Sequence, residues 1–379
     1  MKNLALLLLA SGENSSDMRY AAGFSTPDDF ILFQTENVNY AVMSELEYDR
    51  AKSSAGKNCR VLAESDFGGP DRMKVFQNIK ERFGIDGFLV PGNFPLLWAD
   101  KLRQSGIPVT VKEGAFFPQR EFKTPDEAAM IEASERGAIK GFLRGREVLG
   151  EASVADDGKL IWQKSVLTSE ILRAEIDAAM LRAGMLPTGT ICAGSLQSAQ
   201  PHNAGTGPLF AHTPIVLDIF PRSQTTGYWG DMTRTLVKGK APEIVRKAHF
   251  AVCEAKKRGI SLLAVGAISS EIHLAANAVL EKHGFFTGCN DAGNFGFFHS
   301  LGHGLGGVFH RGFHGFGGGR GGLLHGLGSG FGGGLDRFGG GFGLAASGKQ
   351  PQGQSQHQQQ SKDTGFHRFC APFVPKMKK

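Results

Sequence analysis

The sequence predicts a small α/β domain over residues 1–115, a second folded domain over residues 124–310, and a glycine-rich tail over residues 311–379. Three observations carry this reading. Short apolar runs alternate with amphipathic helical patterns as far as Val111, which is the texture of an α/β layer structure. Thr124-Pro125-Asp126-Glu127 is a capping box with proline at the first helical position, so a helix starts there and marks a boundary. After His310 the composition changes abruptly. A chain of 379 residues also exceeds the usual size of one compact domain.

In the first domain, Leu4 to Ala10 follows Lys2 as an apolar run. It is short for a signal peptide and no convincing cleavage site follows, so it reads as a buried first strand. Asp71 to Phe83 sets Val75, Phe76, Ile79 and Phe83 on one helical stripe. Gly87 to Val90 reads as a buried strand, Leu96 to Leu102 as a helix, and Pro108 to Val111 as extended chain. The glycines of Phe67-Gly68-Gly69-Pro70 have no Lys-Ser/Thr pair after them, so a turn is expected there and not a phosphate loop.

In the second domain, helices are expected from Thr168 to Arg182 closed by Gly184, from Pro242 to Arg258 closed by Gly259, and from Ser270 to His283 closed by Gly284. Ile244, Ala248, Val252 and Ala255 form the clearest apolar stripe. Between the first two of these helices, Ile215–Phe220 and Tyr228–Val237 read as strands joined by the polar turn Ser223 to Gly227. The tail holds 20 glycines after His310 and no Glu, Ile, Tyr or Trp. Ordering such a segment costs backbone entropy that little apolar burial offsets, so it is expected to be disordered.

The formal net charge of +6 belongs to that tail, where nine Lys or Arg face two acids from Arg311 onward. The body is close to neutral, which argues against nucleic acid as a partner. Cys59, Cys192, Cys253, Cys289 and Cys370 are odd in number, far apart and without a C-x-x-C pair. They read as reduced thiols of a cytoplasmic protein. No segment reaches the length of a membrane span.

The chemistry sits in Ile215-Val216-Leu217-Asp218-Ile219-Phe220 and Tyr228-Trp229-Gly230-Asp231-Met232-Thr233-Arg234-Thr235. A carboxylate inside an apolar strand is costly to bury, and two on paired strands repel each other. A divalent metal resolves both problems, although two aspartates on a hairpin are also commonly solvated or turn-capping groups. Downstream, Phe298-His299-Ser300-Leu301-Gly302-His303-Gly304-Leu305-Gly306 carries a pair of histidines, and upstream stands Gln200-Pro201-His202-Asn203. Each alone has a bland surface-loop reading.

Taken in order, Leu217-Asp218, Gly227-Tyr228, Gly230-Asp231-Met232-Thr233-Arg234-Thr235 and His299-x-x-Gly302-His303-Gly304-x-Gly306 resemble the metal-site signature of the pita-bread metallopeptidases of creatinase and aminopeptidase P type. Arg120 to Glu127 is similar to the start of their catalytic domain. The resemblance implies an α/β amino-terminal domain followed by an α+β pita-bread domain, here truncated in its second half. It also implies an Xaa-Pro aminopeptidase or dipeptidase acting on peptides with proline in the second position. Two divalent ions, manganese, cobalt or zinc, would hold an attacking hydroxide. Asp218 would be a terminal ligand, Asp231 a bridging ligand, and His303 a ligand of the other metal. His202 and His310 would contact substrate and the tetrahedral intermediate, and His299 the substrate pocket. The resemblance leaves room for a homodimer and gives no role to a membrane.

The sequence departs from the family where its site is completed. Two further glutamate ligands follow the histidine loop in the family, whereas Glu281 is the last glutamate here and Asp336 and Asp363 are the only acids after His303. The match frays at Gly307-Val308-Phe309, just before His310. A reading-frame change would produce such an abrupt loss of pattern. Weakened metal binding and impaired activity are expected, with two alternatives open: a non-catalytic peptide- or partner-binding homologue, or a metal-independent creatinase-like hydrolase.

Overall fold

Seven consecutive residues, Leu4–Ala10, form β1 in the computed structural model, which describes residues 3–200 and 202–285. The chain divides into two units, Met1–Glu121 and Phe122 onward. In the first, β1 is followed by α1 (Ser16–Ala22), β2 (Phe30–Thr35), β3 (Val38–Met43), α2 (Glu45–Ser54), β4 (Cys59–Ala63), α3 (Arg72–Arg82), β5 (Gly87–Val90), α4 (Leu96–Gln104) and β6 (Val109–Val111). The strands make one mixed sheet in the order β4-β3-β2-β1-β5-β6. Side chains alternate across β1, as an extended strand requires. Leu7 and Leu9 meet Val75, Phe76, Ile79 and Leu102 on one face, while Leu8 meets Met18, Ala22 and Ala51 on the other. The first strand is therefore buried on both faces, which explains its unbroken apolar run. Asp71 caps α3 by accepting from the N–H of Met73. The chain turns at Gly68 and Gly69, both with positive φ.

The second unit opens with the 27-residue helix α5 (Pro125–Glu151), and the capping box is present, with Thr124 and Glu127 exchanging hydrogen bonds. Then come β7 (Ser153–Val154), β8 (Leu160–Trp162), β9 (Ser165–Val166), α6 (Ser169–Arg182), β10 (Met185–Leu186), β11 (Ile191–Gly194), β12 (Ile215–Ile219), β13 (Arg222–Ser223), β14 (Met232–Leu236), α7 (Glu243–Ser261) and α8 (Ser269–Lys282). β12 is the central strand of an antiparallel sheet ordered β11-β12-β14. Gly141 and Gly145 lie one helical turn apart on α5, and a Cβ on either would meet Met180 or Ile176 of α6 at 2.8 Å. These glycines let α6 close on α5, and the same core takes in Cys192, Leu217 and Ile219 from the sheet.

Three expectations need correction. The strand expected from Tyr228 begins only at Met232, because Tyr228 to Asp231 is drawn toward α5, as described below. The helix expected to stop at Gly259 continues to Ser261; Gly259 is buried on the α7 face that also buries Ala251 and Ala255. Its smallness serves close packing and not termination. Ile244 is exposed and does not belong to that face, whereas Ala248 and Val252 pack at its border. The expectations of a truncated second half and a disordered tail fall on residues outside those described.

Ile176 has no solvent exposure and fills the space above Gly145. Replacing Ile176 with alanine is expected to lower stability by about 2–5 kcal/mol, read by urea denaturation. A loss below half a kcal/mol would contradict this packing.

Candidate metal centre

Asp218 owes its position to β12. Ile215, Leu217 and Ile219 of that strand are fully buried, and both edges of the strand are paired. Asp218 stands opposite Ile191 on β11 and Thr233 on β14, with 4% of its surface exposed. The Thr233 hydroxyl donates a short hydrogen bond to Oδ1 of Asp218. A carboxylate so deeply placed requires hydrogen bonds or a positive partner.

Asp231 lies one residue before β14 and two positions from Thr233. Strand alternation, continued back from β14, would put it on the face of Asp218. Its neighbours are tied down by backbone bonds: Ser223 N–H to the Tyr228 carbonyl at 2.8 Å, and Gly230 N–H to the Pro221 carbonyl at 3.0 Å. The N–H of Asp231 donates to Oε1 of Glu135 at 3.2 Å. Upstream, the Tyr228 hydroxyl donates to Oε1 of Glu127 at 2.7 Å. Burial works against ionisation of Glu127, but hydrogen bonds from the Thr124 N–H and the Tyr228 hydroxyl outweigh it, and its carboxyl is held below its usual range.

His202 is exposed on a turn just before a loop bound to β11. The Cys192 N–H donates to the Ala204 carbonyl at 3.0 Å, and the Arg173 guanidinium donates to the carbonyls of Thr190 at 2.9 Å and Gly205 at 2.7 Å. Gly205 has φ +82° and packs so tightly on β11 that a Cβ would lie 2.0 Å from the Cys192 carbonyl oxygen. Burial pushes the Cys192 thiol up to about 12, so it is an inert packing group. His299, His303 and His310 lie outside the described residues.

Asp218 is thus paired with Thr233, and Asp231 lies two residues before that partner. As hard oxygen donors the two carboxylates fit a divalent cation. Among the described residues, no group of three or more His, Cys, Asp or Glu side chains is arranged to hold a metal ion. No helix among them is long and apolar enough to cross a membrane. The sequence reading gave Glu135 and Ser134 no role. Their signal was present: with Ile131 and Ala138 they lie on the buried stripe of α5, where a carboxylate is out of place unless something donates to it.

The arrangement of strands and helices is the pita-bread metallopeptidase fold. A prolidase from Pyrococcus furiosus superposes with a TM-score of 0.60 at 19% identity, covering 75% of this chain and 76% of that one. An X-Pro aminopeptidase from Thermotoga maritima gives 0.61 at 18% identity, over 74% and 76%. By sequence, 110 residues are 31% identical to an Xaa-Pro dipeptidase of Pyrococcus furiosus, 29% of each chain. The chain therefore matches less than a third of that relative's length. Residues 152–326 match the model of metallopeptidase family M24.

Replacing Thr233 with valine keeps the shape of the side chain and removes the donor to Asp218. A stability loss of about 1–3 kcal/mol is expected in urea denaturation at neutral pH. An unchanged midpoint would show that the bond contributes nothing.

Proposed function

We propose that this chain is an Xaa-Pro peptidase by lineage, with a divalent-metal centre built on Asp218, Asp231 and His303, and that in its present sequence the centre is impaired. The observation that carries the reading is a buried Asp218 whose partner across the sheet, Thr233, stands two residues after Asp231, within the region that matches the family model. Two nearby carboxylates in a mainly apolar sheet are destabilising by themselves and make sense as cation ligands.

When bound, manganese, cobalt or zinc would polarise the scissile carbonyl and lower the pKa of a water. Asp218 and Asp231 would hold the ions, with His303 as a further ligand. His202, His299 and His310 would orient the peptide and donate hydrogen bonds to it. The substrate would be a peptide with proline in the second position, in the cytoplasm, and the chain could act as a homodimer.

The impairment follows from the sequence. No glutamate occurs after Glu281, so the two glutamate ligands that the family resemblance implies after the histidine loop have no counterpart. The same fact favours a second reading, a non-catalytic homologue that binds a peptide or partner.

Hydrolysis of an Xaa-Pro dipeptide with added manganese or cobalt tests this, run beside Asp231→Ala and accompanied by circular dichroism. Little or no turnover from a folded chain is expected. Turnover of about one per second or faster, abolished by Asp231→Ala, would fall in the ordinary enzyme range and would overturn the impairment. Turnover indifferent to Asp231→Ala would overturn the metal centre itself.

A further inference from the structure

We propose that Glu135 is a positioning residue for Asp231, with Ser134 and Glu127 completing a grip by which helix α5 sets one ligand of the metal centre. The proposal rests on the reading of Asp231 as a ligand. Glu135 is 9% exposed and lies in the middle of a helix face that otherwise buries Ile131, Ser134, Ala138 and three glycines. A carboxylate is costly there, and an apolar residue would fill the place without that cost.

The bond it accepts explains its presence. Asp231 precedes β14, so its N–H falls outside the ladder between β12 and β14 and needs another acceptor. Oε1 of Glu135 supplies it at 3.2 Å. One residue earlier, Gly230 presses its backbone against the helix. A Cβ there would lie 2.4 Å from the Ser134 carbonyl oxygen and 2.8 Å from the Glu135 nitrogen, so only glycine permits the approach. One residue before Trp229, the Tyr228 carbonyl accepts from the Ser134 hydroxyl at 3.0 Å and the Tyr228 hydroxyl donates to Glu127 at 2.7 Å.

Tyr228 to Asp231 is therefore held by a rigid helix and not by the sheet alone. The direction of a side chain follows its backbone, so fixing the Asp231 peptide fixes where its carboxylate can point. Partners that hold a ligand in place in this way commonly change metal affinity by about 10- to 100-fold when removed.

The test compares Glu135→Gln, which keeps an acceptor oxygen of similar reach, with Glu135→Leu, which removes it at similar volume. Exchange of the Asp231 amide proton is followed by NMR in the metal-free full chain, and manganese affinity by water-proton relaxation. The leucine variant is expected to speed exchange at Asp231 and to weaken manganese binding, each by about tenfold or more. The glutamine variant is expected to stay close to wild type in both, with the Ile131 and Ala138 amides unchanged throughout. Should Glu135→Leu fail to fold, Glu135→Asp withdraws the acceptor by one methylene and carries the same expectation. Unchanged exchange at Asp231, or faster exchange with unchanged manganese affinity, would overturn the proposal alone. Equal manganese affinity in wild type and Asp231→Asn would overturn the ligand reading, and the proposal with it.

Discussion

The second unit is organised by the backbone contact between Gly230 and the turn of α5 at Ser134 and Glu135. The distance leaves no room for a side chain at Gly230, and the flanking residues fix it with hydrogen bonds from both directions. Because α5 is one continuous helix, the contact also ties the strand that follows to the rest of the core. Two and three turns farther along, Gly141 and Gly145 admit α6 and the Leu217 side chain of β12. Asp218 and Asp231 are thus referred to the same rigid element, one through the packing of β12 and the other through Gly230.

Electrostatics give this arrangement its meaning. Asp218 is buried and accepts from Thr233, while the peptide of Asp231 leans on a third carboxylate, Glu135. Concentrating acids in this way opposes folding unless cations or donors offset it. A divalent cation would do so, and residues 152–326 match the model of metallopeptidase family M24. No glutamate follows Glu281, so the chain after it offers such a cation few carboxylate oxygens.

Much of this was legible in the sequence. The unbroken apolar run of β1, the cap at Asp71 and the box at Thr124 are local signals, and the elements they announce are present. Asp218 stood out because a carboxylate within Ile-Val-Leu-x-Ile has no local reason to be there. Local signals failed where long-range contact decides. Gly259 reads as a stop by composition but lies inside α7, where its size serves packing. Tyr228 to Asp231 reads as strand by alternation, yet the Tyr228 hydroxyl and the Asp231 N–H bond to a helix about a hundred residues earlier. Glu135 is the instructive miss, since the helical period already placed it on the buried stripe with Ile131 and Ala138.

The central claim is that Asp218 and Asp231 are ligands of one divalent-metal centre that this sequence leaves incomplete. Calorimetric titration of the full chain with manganese, beside the double variant Asp218→Asn/Asp231→Asn, tests it most directly. Weak binding by the wild type, lost in the double variant, is the expected result. Two tightly held ions per chain, or binding that survives the double substitution, would contradict it.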